Sequence, residues 1–111
     1  MSLPRSLPLL TFMLTLGVAV PSIASAAPAM STIWQETPLD LDACVKQAEL
    51  ALHDAGMTKN EQTLHESVYG EEGLYTGSIR CLSGKNAVFI VVAGPRQDRA
   101  SQLVGVLKSK F

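Results

Sequence analysis

The two cysteines place the strongest constraint on how this 111-residue chain can fold. Cys44 lies in a stripe of apolar residues that recur at three- and four-residue steps, a spacing typical of one helix face. Cys81 lies in "LYTGSIRCL", where small or apolar residues alternate with polar ones as in a half-buried strand. We therefore predict a helix that packs on a sheet and is joined to it by a Cys44–Cys81 disulfide.

The N-terminal segment predicts the compartment in which such a bond forms. Arg5 precedes an apolar stretch of 14 residues, and the pattern Ala24-x-Ala26 follows it. This is the layout of a secretory signal peptide, so we assign residues 1–26 to it and expect export to the periplasm or out of the cell. Because the apolar stretch is shorter than the ~20 residues that span a bilayer, no stable membrane insertion is expected after cleavage.

An exported chain of this size benefits from a covalent crosslink. Cleavage would leave 85 residues, a length at which the buried surface alone gives marginal stability. Disulfides persist in oxidising compartments, and closing this loop is worth about 4 kcal/mol in the chain-entropy model. The alternative is two separate buried thiols. A reactive thiol is disfavoured because neither cysteine belongs to a Cys-x-x-Cys motif.

The charge and ligand patterns exclude several classes of function. Without Arg5 the chain has eight basic and ten acidic residues, interspersed, so neither nucleic acid nor an anionic membrane surface is an expected partner. Cys44, His53, His65 and Cys81 lack paired metal-ligand spacing, so no metal site is predicted. We find no nucleophile elbow, acid pair or cofactor fingerprint, and we expect a non-enzymatic protein without a cofactor.

The helix that contains Cys44 has start and stop signals. Thr37 and Asp40 fit an N-terminal capping box, with Pro38 at the first helical position. Gly56 supplies a left-handed C-terminal stop. A second helix is predicted from Pro95 to the C-terminus, since Leu103, Leu107 and their neighbours repeat the helical spacing.

Alternation and turn residues predict three strands between these helices, at 62–69, 74–82 and 87–93, with "GEEG" and "SGKN" as the turns. Residues 27–37 are predicted to be a flexible N-terminus with a short first strand in "TIWQE" as an option, and residues 38–111 a single domain. The expected fold is α+β, a two-layer sandwich of an antiparallel three- to four-stranded meander sheet with two helices on one face, in the order β-α-β-β-β-α.

Strict alternation along the strands divides the sheet into two predicted faces. The turns place Tyr69 opposite Leu74 and Leu82 opposite Ala87. The face toward the helices then includes Cys81, and it also includes Glu66 opposite Gly77, where a sheet edge or a bulge would let the carboxylate reach water. Thr63 falls on the other face.

That other face is the candidate contact surface. Its predicted contact residues are Arg80, Phe89, Val91, His65 and Leu82. An apolar group with a polar rim on a sheet face suggests a protein partner, a second copy of the chain or a shallow ligand groove. The alternative is that "TIWQE" covers this face with Trp34.

Arg96 and Arg99 form a second candidate site, at the start of the last helix. Helix N-termini and guanidinium groups hold anions, although "AGPRQDR" lacks the glycine spacing of a phosphate loop. The alternative is two solvated arginines. The sequence therefore favours a small exported domain that acts through protein–protein contact or self-association, followed by a small-molecule or anion-binding domain that uses the sheet face or this helix start.

Overall fold

The structure is a computed structural model that describes residues 28–111; the signal-peptide prediction lies outside the described residues. The described elements follow the order β-α-β-β-β-β-α. They are β1 (Ala29–Glu36), α1 (Leu41–Asp54), β2 (Lys59–Leu64), β3 (Ser67–Glu72), β4 (Tyr75–Leu82), β5 (Ala87–Gly94) and α2 (Gln97–Lys108).

The predicted two-layer α+β fold is confirmed, with more strands than expected. The five strands form one antiparallel sheet in the order β1-β5-β4-β3-β2. Helix α1 packs on β3 and β4, and α2 packs on β1 and β5, so both helices cover the same face. We call this the inner face and the opposite one the outer face. No helix among residues 28–111 is both long and apolar enough to cross a membrane.

The first strand is longer than the sequence suggested. Residues 29–36, assigned to a flexible N-terminus with an optional short strand, pair with β5 along their whole length, from Ala29 opposite Gly94 to Glu36 opposite Ala87. β1 is therefore an edge strand in the plane of the sheet, beside the most apolar strand of the chain.

The segment predicted as one strand over 62–69 is a hairpin. β2 ends at Leu64, β3 begins at Ser67, and His65 and Glu66 form the two-residue turn between them. His65 takes a left-handed φ of 56°. The prediction failed because this turn contains none of the Gly, Pro, Asn or Asp residues that usually mark one, although His is enriched several-fold among non-glycine residues at positive φ.

This hairpin changes the facing of several residues. Glu66 leaves the predicted inner position and Gly70 takes its place opposite Gly77. Thr63 moves to the inner side, where its hydroxyl donates to Glu49 Oε2 at 2.7 Å. The next turn is also displaced: Glu72 pairs with Tyr75 instead of Tyr69 with Leu74. The displacement is an even number of residues, so β4 keeps its predicted facing, and Leu82 lies opposite Ala87 as predicted.

Helix α1 begins at Leu41, three residues after the predicted Pro38. Asp40, not Thr37, is the N-cap residue, and its Oδ1 accepts from the Ala43 N–H at 2.9 Å. Thr37 is buried instead, and its hydroxyl accepts from the Leu39 N–H. The C-terminal prediction was correct: Gly56 has a φ of 78° and ends the helix in a Schellman motif.

Met57, the residue after this stop, fills a gap in the sheet. It is fully buried over the cross-strand glycine pair Gly70 and Gly77. A Cβ atom at Gly70 would collide with the Met57 carbonyl oxygen, and one at Gly77 would lie 2.9 Å from the Met57 sulfur. The two glycines therefore let the end of α1 approach the inner face closely.

The Cys44–Cys81 disulfide is present and lies in the centre of this interface. The Cα atoms are 6.1 Å apart and both residues are buried. Cys81 pairs with Val88 on the inner face, and the bond crosses from β4 to the first turn of α1. Around it the core is formed by these buried residues of the sheet and the two helices: Ala48, Ala51, Leu52, Val68, Ile79, Val88, Ile90, Val92, Ala100, Leu103, Val104 and Leu107.

Candidate contact face of the sheet

The outer face is a continuous surface of five strands, since no described element packs on it and both helices lie on the inner side. Register assigns its members as follows: Met30, Thr32, Trp34 and Glu36 from β1; Ala87, Phe89, Val91 and Ala93 from β5; Thr76, Ser78, Arg80 and Leu82 from β4; Ser67, Tyr69 and Glu71 from β3; and Gln62 and the exposed Leu64 from β2.

Its two halves differ in chemistry. On β1 and β5 the large side chains are apolar, and the exposed fractions are 62% for Trp34, 57% for Met30 and 40% for Phe89. Trp34 lies directly opposite Phe89 across the strands, so the two aromatic side chains are neighbours. On β4 and β3 the residues are mainly hydroxylated or charged. An aromatic strip with a polar border is therefore open to solvent on one side of the face.

β1 does not cover this face, contrary to the alternative considered for "TIWQE". Strand pairing with β5 places Trp34 in the same layer as Phe89, where it enlarges the apolar surface. A sheet edge accepts a strand through its backbone groups, whereas covering a face requires a second layer. The described residues provide no second layer on this side.

Four of the five predicted contact residues lie on the outer face. Arg80, Phe89 and Val91 cluster on β4 and β5, since Arg80 is the cross-strand partner of Phe89, and Leu82 lies at the end of β4. His65 does not belong to the group because it lies in the β2–β3 turn. Sequence reasoning missed Met30, whose alternation with Thr32 and Trp34 is the signal that would have found it.

Arg80 is held in place by Glu66. Its guanidinium Nη2 donates to Glu66 Oε1 at 2.9 Å, and the Cys81 N–H donates to the Glu66 carbonyl oxygen at 2.8 Å. The displaced carboxylate thus forms the polar border of the face. Since Arg80 remains more than half exposed, this pair contributes little to folding stability and leaves donors available to a partner.

The second candidate site is already internally neutralised. The Arg96 guanidinium donates to both Asp98 oxygens, at 3.0 and 2.8 Å, and Arg99 donates to Glu72 at 2.9 Å. Hydrogen bonds from the Arg96 side chain and the Arg99 backbone lower the pKa of Asp98 to about 2. An anion at this helix start would have to displace two carboxylates, so the contacts do not favour anion binding there.

A groove of about 490 Å³ runs between α1 and β2 on the inner side. It exists because β2, the edge strand of the sheet, extends beyond the two helices. Lys46, Glu49, His53 and Glu61 line it over a floor that includes Val68. One lysine faces two glutamates there, and within residues 28–111 no three His, Cys, Asp or Glu side chains are placed to hold a metal ion.

The chain matches no family model and has no significant similarity to a curated protein.

Proposed function

We propose that the protein is a small exported, non-enzymatic contact domain whose working surface is the outer face. The observation that supports this most directly is the side-by-side exposure of Trp34 and Phe89 on a sheet face that no described element covers. Large apolar surfaces with a polar border are a common property of protein contact sites. Tryptophan and arginine are also enriched among residues that contribute most to binding.

The dimensions of the face suit a protein ligand better than a small molecule. Two eight-residue strands extend for about 26 Å and the five strands of the face span about 19 Å between their outer axes. The face is open and has no enclosed concavity, whereas small-molecule sites enclose most of their ligand. We therefore favour a protein partner or a second copy of the chain over a metabolite.

Export is the second part of the proposal, and it rests on the leader-like residues 1–26 together with the disulfide. The test is the intact mass and N-terminal sequence of the protein recovered from fractionated cells. A chain that starts at Ala27 in the exported fraction would support it. A full-length chain in the cytosol would contradict it.

Site-specific photocrosslinking tests the contact surface. A photoreactive amino acid replaces Phe89 on the outer face in one variant and Leu50 in another. Leu50 is 58% exposed on α1, on the inner side, and serves as the control position. We expect the Phe89 variant to form a discrete crosslinked product in the exporting cell and the Leu50 variant to form none.

The polar border provides the second control. Arg80→Glu, introduced into the Phe89 photocrosslinking variant, reverses one border charge without reaching the core. It should weaken or abolish the product, whereas Arg96→Glu at the far helix start should leave it unchanged. Equal crosslinking from Phe89 and Leu50, or none from Phe89, would argue against the outer face as the working surface. The product's mass distinguishes a second copy from another protein.

A further inference from the structure

The two edges of the sheet are built differently. β2 has six residues and carries Lys59 and Glu61, and its register with β3 shifts at a bulge beside Asn60, whose φ is 53°. Charges, short length and bulges are the features that keep a sheet edge from pairing with another chain. β1 has eight residues in unbroken register with β5, contains no Lys, Arg or Pro, and has its one charge at Glu36, the last residue. β1 therefore lacks these protective features.

Hydrogen bonding shows which backbone groups of β1 are free. The Thr37 N–H donates to the Asn86 carbonyl oxygen at 2.8 Å, immediately after the Glu36–Ala87 pair. In an antiparallel ladder such bonded pairs alternate, so odd-numbered residues of β1 bond to β5 and even-numbered residues point outward. Met30, Thr32 and Trp34 thus present their N–H and C=O groups to the edge. Among residues 28–111, no strand occupies that edge.

Gly105, in the middle of α2, gives an independent indication. A Cβ atom at this position would meet nothing within 4 Å, so packing within the described chain does not require a glycine. Glycine inside a helix costs about 1 kcal/mol relative to alanine. Gly105 lies one turn after Ser101, whose hydroxyl donates to Ser31 Oγ on β1 at 3.3 Å. This flank of α2 therefore faces the β1 edge.

A two-fold axis at the β1 edge would bring these features together. Since α2 packs on both β1 and β5, its axis lies about half a strand spacing inside β1. Pairing β1 with its copy would then place the two α2 helices about 10 Å apart, a normal packing distance. Ile33 lies about 6.6 Å along β1 from Ser31. The same distance along α2 corresponds to about four residues, which leads from Ser101, the partner of Ser31, to Gly105. A two-fold axis at Ile33 therefore passes close to Gly105.

We propose that two copies of the chain pair their β1 strands antiparallel about Ile33 and form a continuous ten-stranded sheet, with the two α2 helices in contact at Gly105. Thr32 of one copy lies opposite Trp34 of the other. The interface is about 26 Å long, and its sheet and helix layers together are about 20 Å deep. Each copy therefore contributes on the order of 500 Å². This reaches the lower limit of about 1,000 Å² in total for a specific interface. The inference goes beyond the proposed function, because edge pairing leaves both outer faces open.

Sedimentation velocity over a wide concentration range tests the dimer, with protein expressed from the full-length sequence and purified as the cell accumulates it. Thr32→Pro removes an outward N–H without removing a bond to β5, and edge strands accept proline. It should convert the dimer to monomer, whereas Thr32→Val, which retains the N–H, should not. Gly105→Leu should also give monomer, and Gln102→Leu, exposed elsewhere on α2, should remain dimeric.

Gly105→Ala separates this dimer from a merely structural role of the glycine. Alanine favours the helix, so the melting temperature of the dilute monomer should rise, whereas Gly105→Leu, whose larger side chain does not fit between helices about 10 Å apart, should increase the dimer dissociation constant about tenfold or more. If Thr32→Pro does not fold, as judged by circular dichroism, the exposed Gly105 variants decide. A wild type that stays monomeric, or a dimer insensitive to the Gly105 variants, would overturn the proposal. A dimer lost only in Phe89→Asp would assign self-association to the outer face instead.

Discussion

The inner and outer faces of the sheet are formed by the same strands, yet they are determined in different ways. On the inner face the large apolar side chains pack against the helices, the disulfide or Met57. On the outer face Trp34 and Phe89 meet mainly each other and solvent. Intramolecular packing therefore explains the composition of one face and leaves the other unexplained. The outer face is where the chain carries apolar surface that its own fold does not need.

The largest expected effect concerns the disulfide on the inner face. Replacing both Cys44 and Cys81 by alanine should lower the free energy of unfolding by about 4 kcal/mol, because the unfolded chain regains the entropy of an open loop. Urea denaturation measures this. Dithiothreitol should destabilise the wild type to a similar extent and leave the double variant unchanged. A loss below about 1 kcal/mol would mean that the crosslink is not needed to hold the inner layer together.

Adjacent residues of β5 test the contrast between the faces directly. Ile90→Ala removes a fully buried side chain on the inner face and should cost about 3 to 4 kcal/mol. Phe89→Ala removes a larger side chain from the outer face and should cost about 1 kcal/mol, since its contacts are limited to cross-strand neighbours. Both values come from the same denaturation measurement. Equal losses would show that something covers the outer face of the folded protein.

The glycine pair under Met57 tests how closely the helical layer approaches the sheet. Gly70→Ala should cost about 2 to 3 kcal/mol, because the new methyl group meets the Met57 backbone oxygen, which cannot move without displacing the end of α1. Gly77→Ala should cost less, since it meets the flexible ends of the Met57 and Leu52 side chains. Met57→Ala should relieve the Gly77 substitution but not the Gly70 one in a double-mutant cycle. Relief of both would contradict the role assigned to the backbone.

The parts of the fold that could be predicted are those that local sequence patterns determine. Cys81 faces Cys44 because alternation along β4 and helical spacing in α1 are both set by nearby residues, and these patterns, together with the expected oxidising compartment, predict the disulfide. The facing of Phe89 and Val91 was predicted for the same reason. These patterns survive an error in a turn as long as the displacement is an even number of residues, as it was between β3 and β4.

The failures were at positions where the local sequence carries no clear signal. His65 adopts a left-handed turn without a glycine, so the sequence pattern predicts one strand in place of the hairpin, and the predicted positions of His65, Glu66 and Thr63 are wrong. The position of β1 depends on β5, more than 50 residues later, and no local pattern encodes a pairing at that distance. Trp34 was therefore considered as a cover for the outer face when it is part of that face.

The β2–β3 turn gives the smallest effect, and one of opposite sign. A non-glycine residue at positive φ carries a cost of roughly 1 kcal/mol, so His65→Gly should stabilise the protein by about that amount or less, after the entropy that glycine adds to the unfolded chain. His53→Gly is the matched control, since it places the same substitution in the last turn of α1 and should destabilise. Urea denaturation of both variants measures the difference.

Because this turn decides that Thr63 faces the helices and that Glu66 reaches Arg80, a stabilised turn should also leave Arg80 more firmly placed on the outer face. If His65→Gly destabilises as much as His53→Gly, then His65 makes side-chain contacts that hold this end of the face, and the strain at the turn is offset by them.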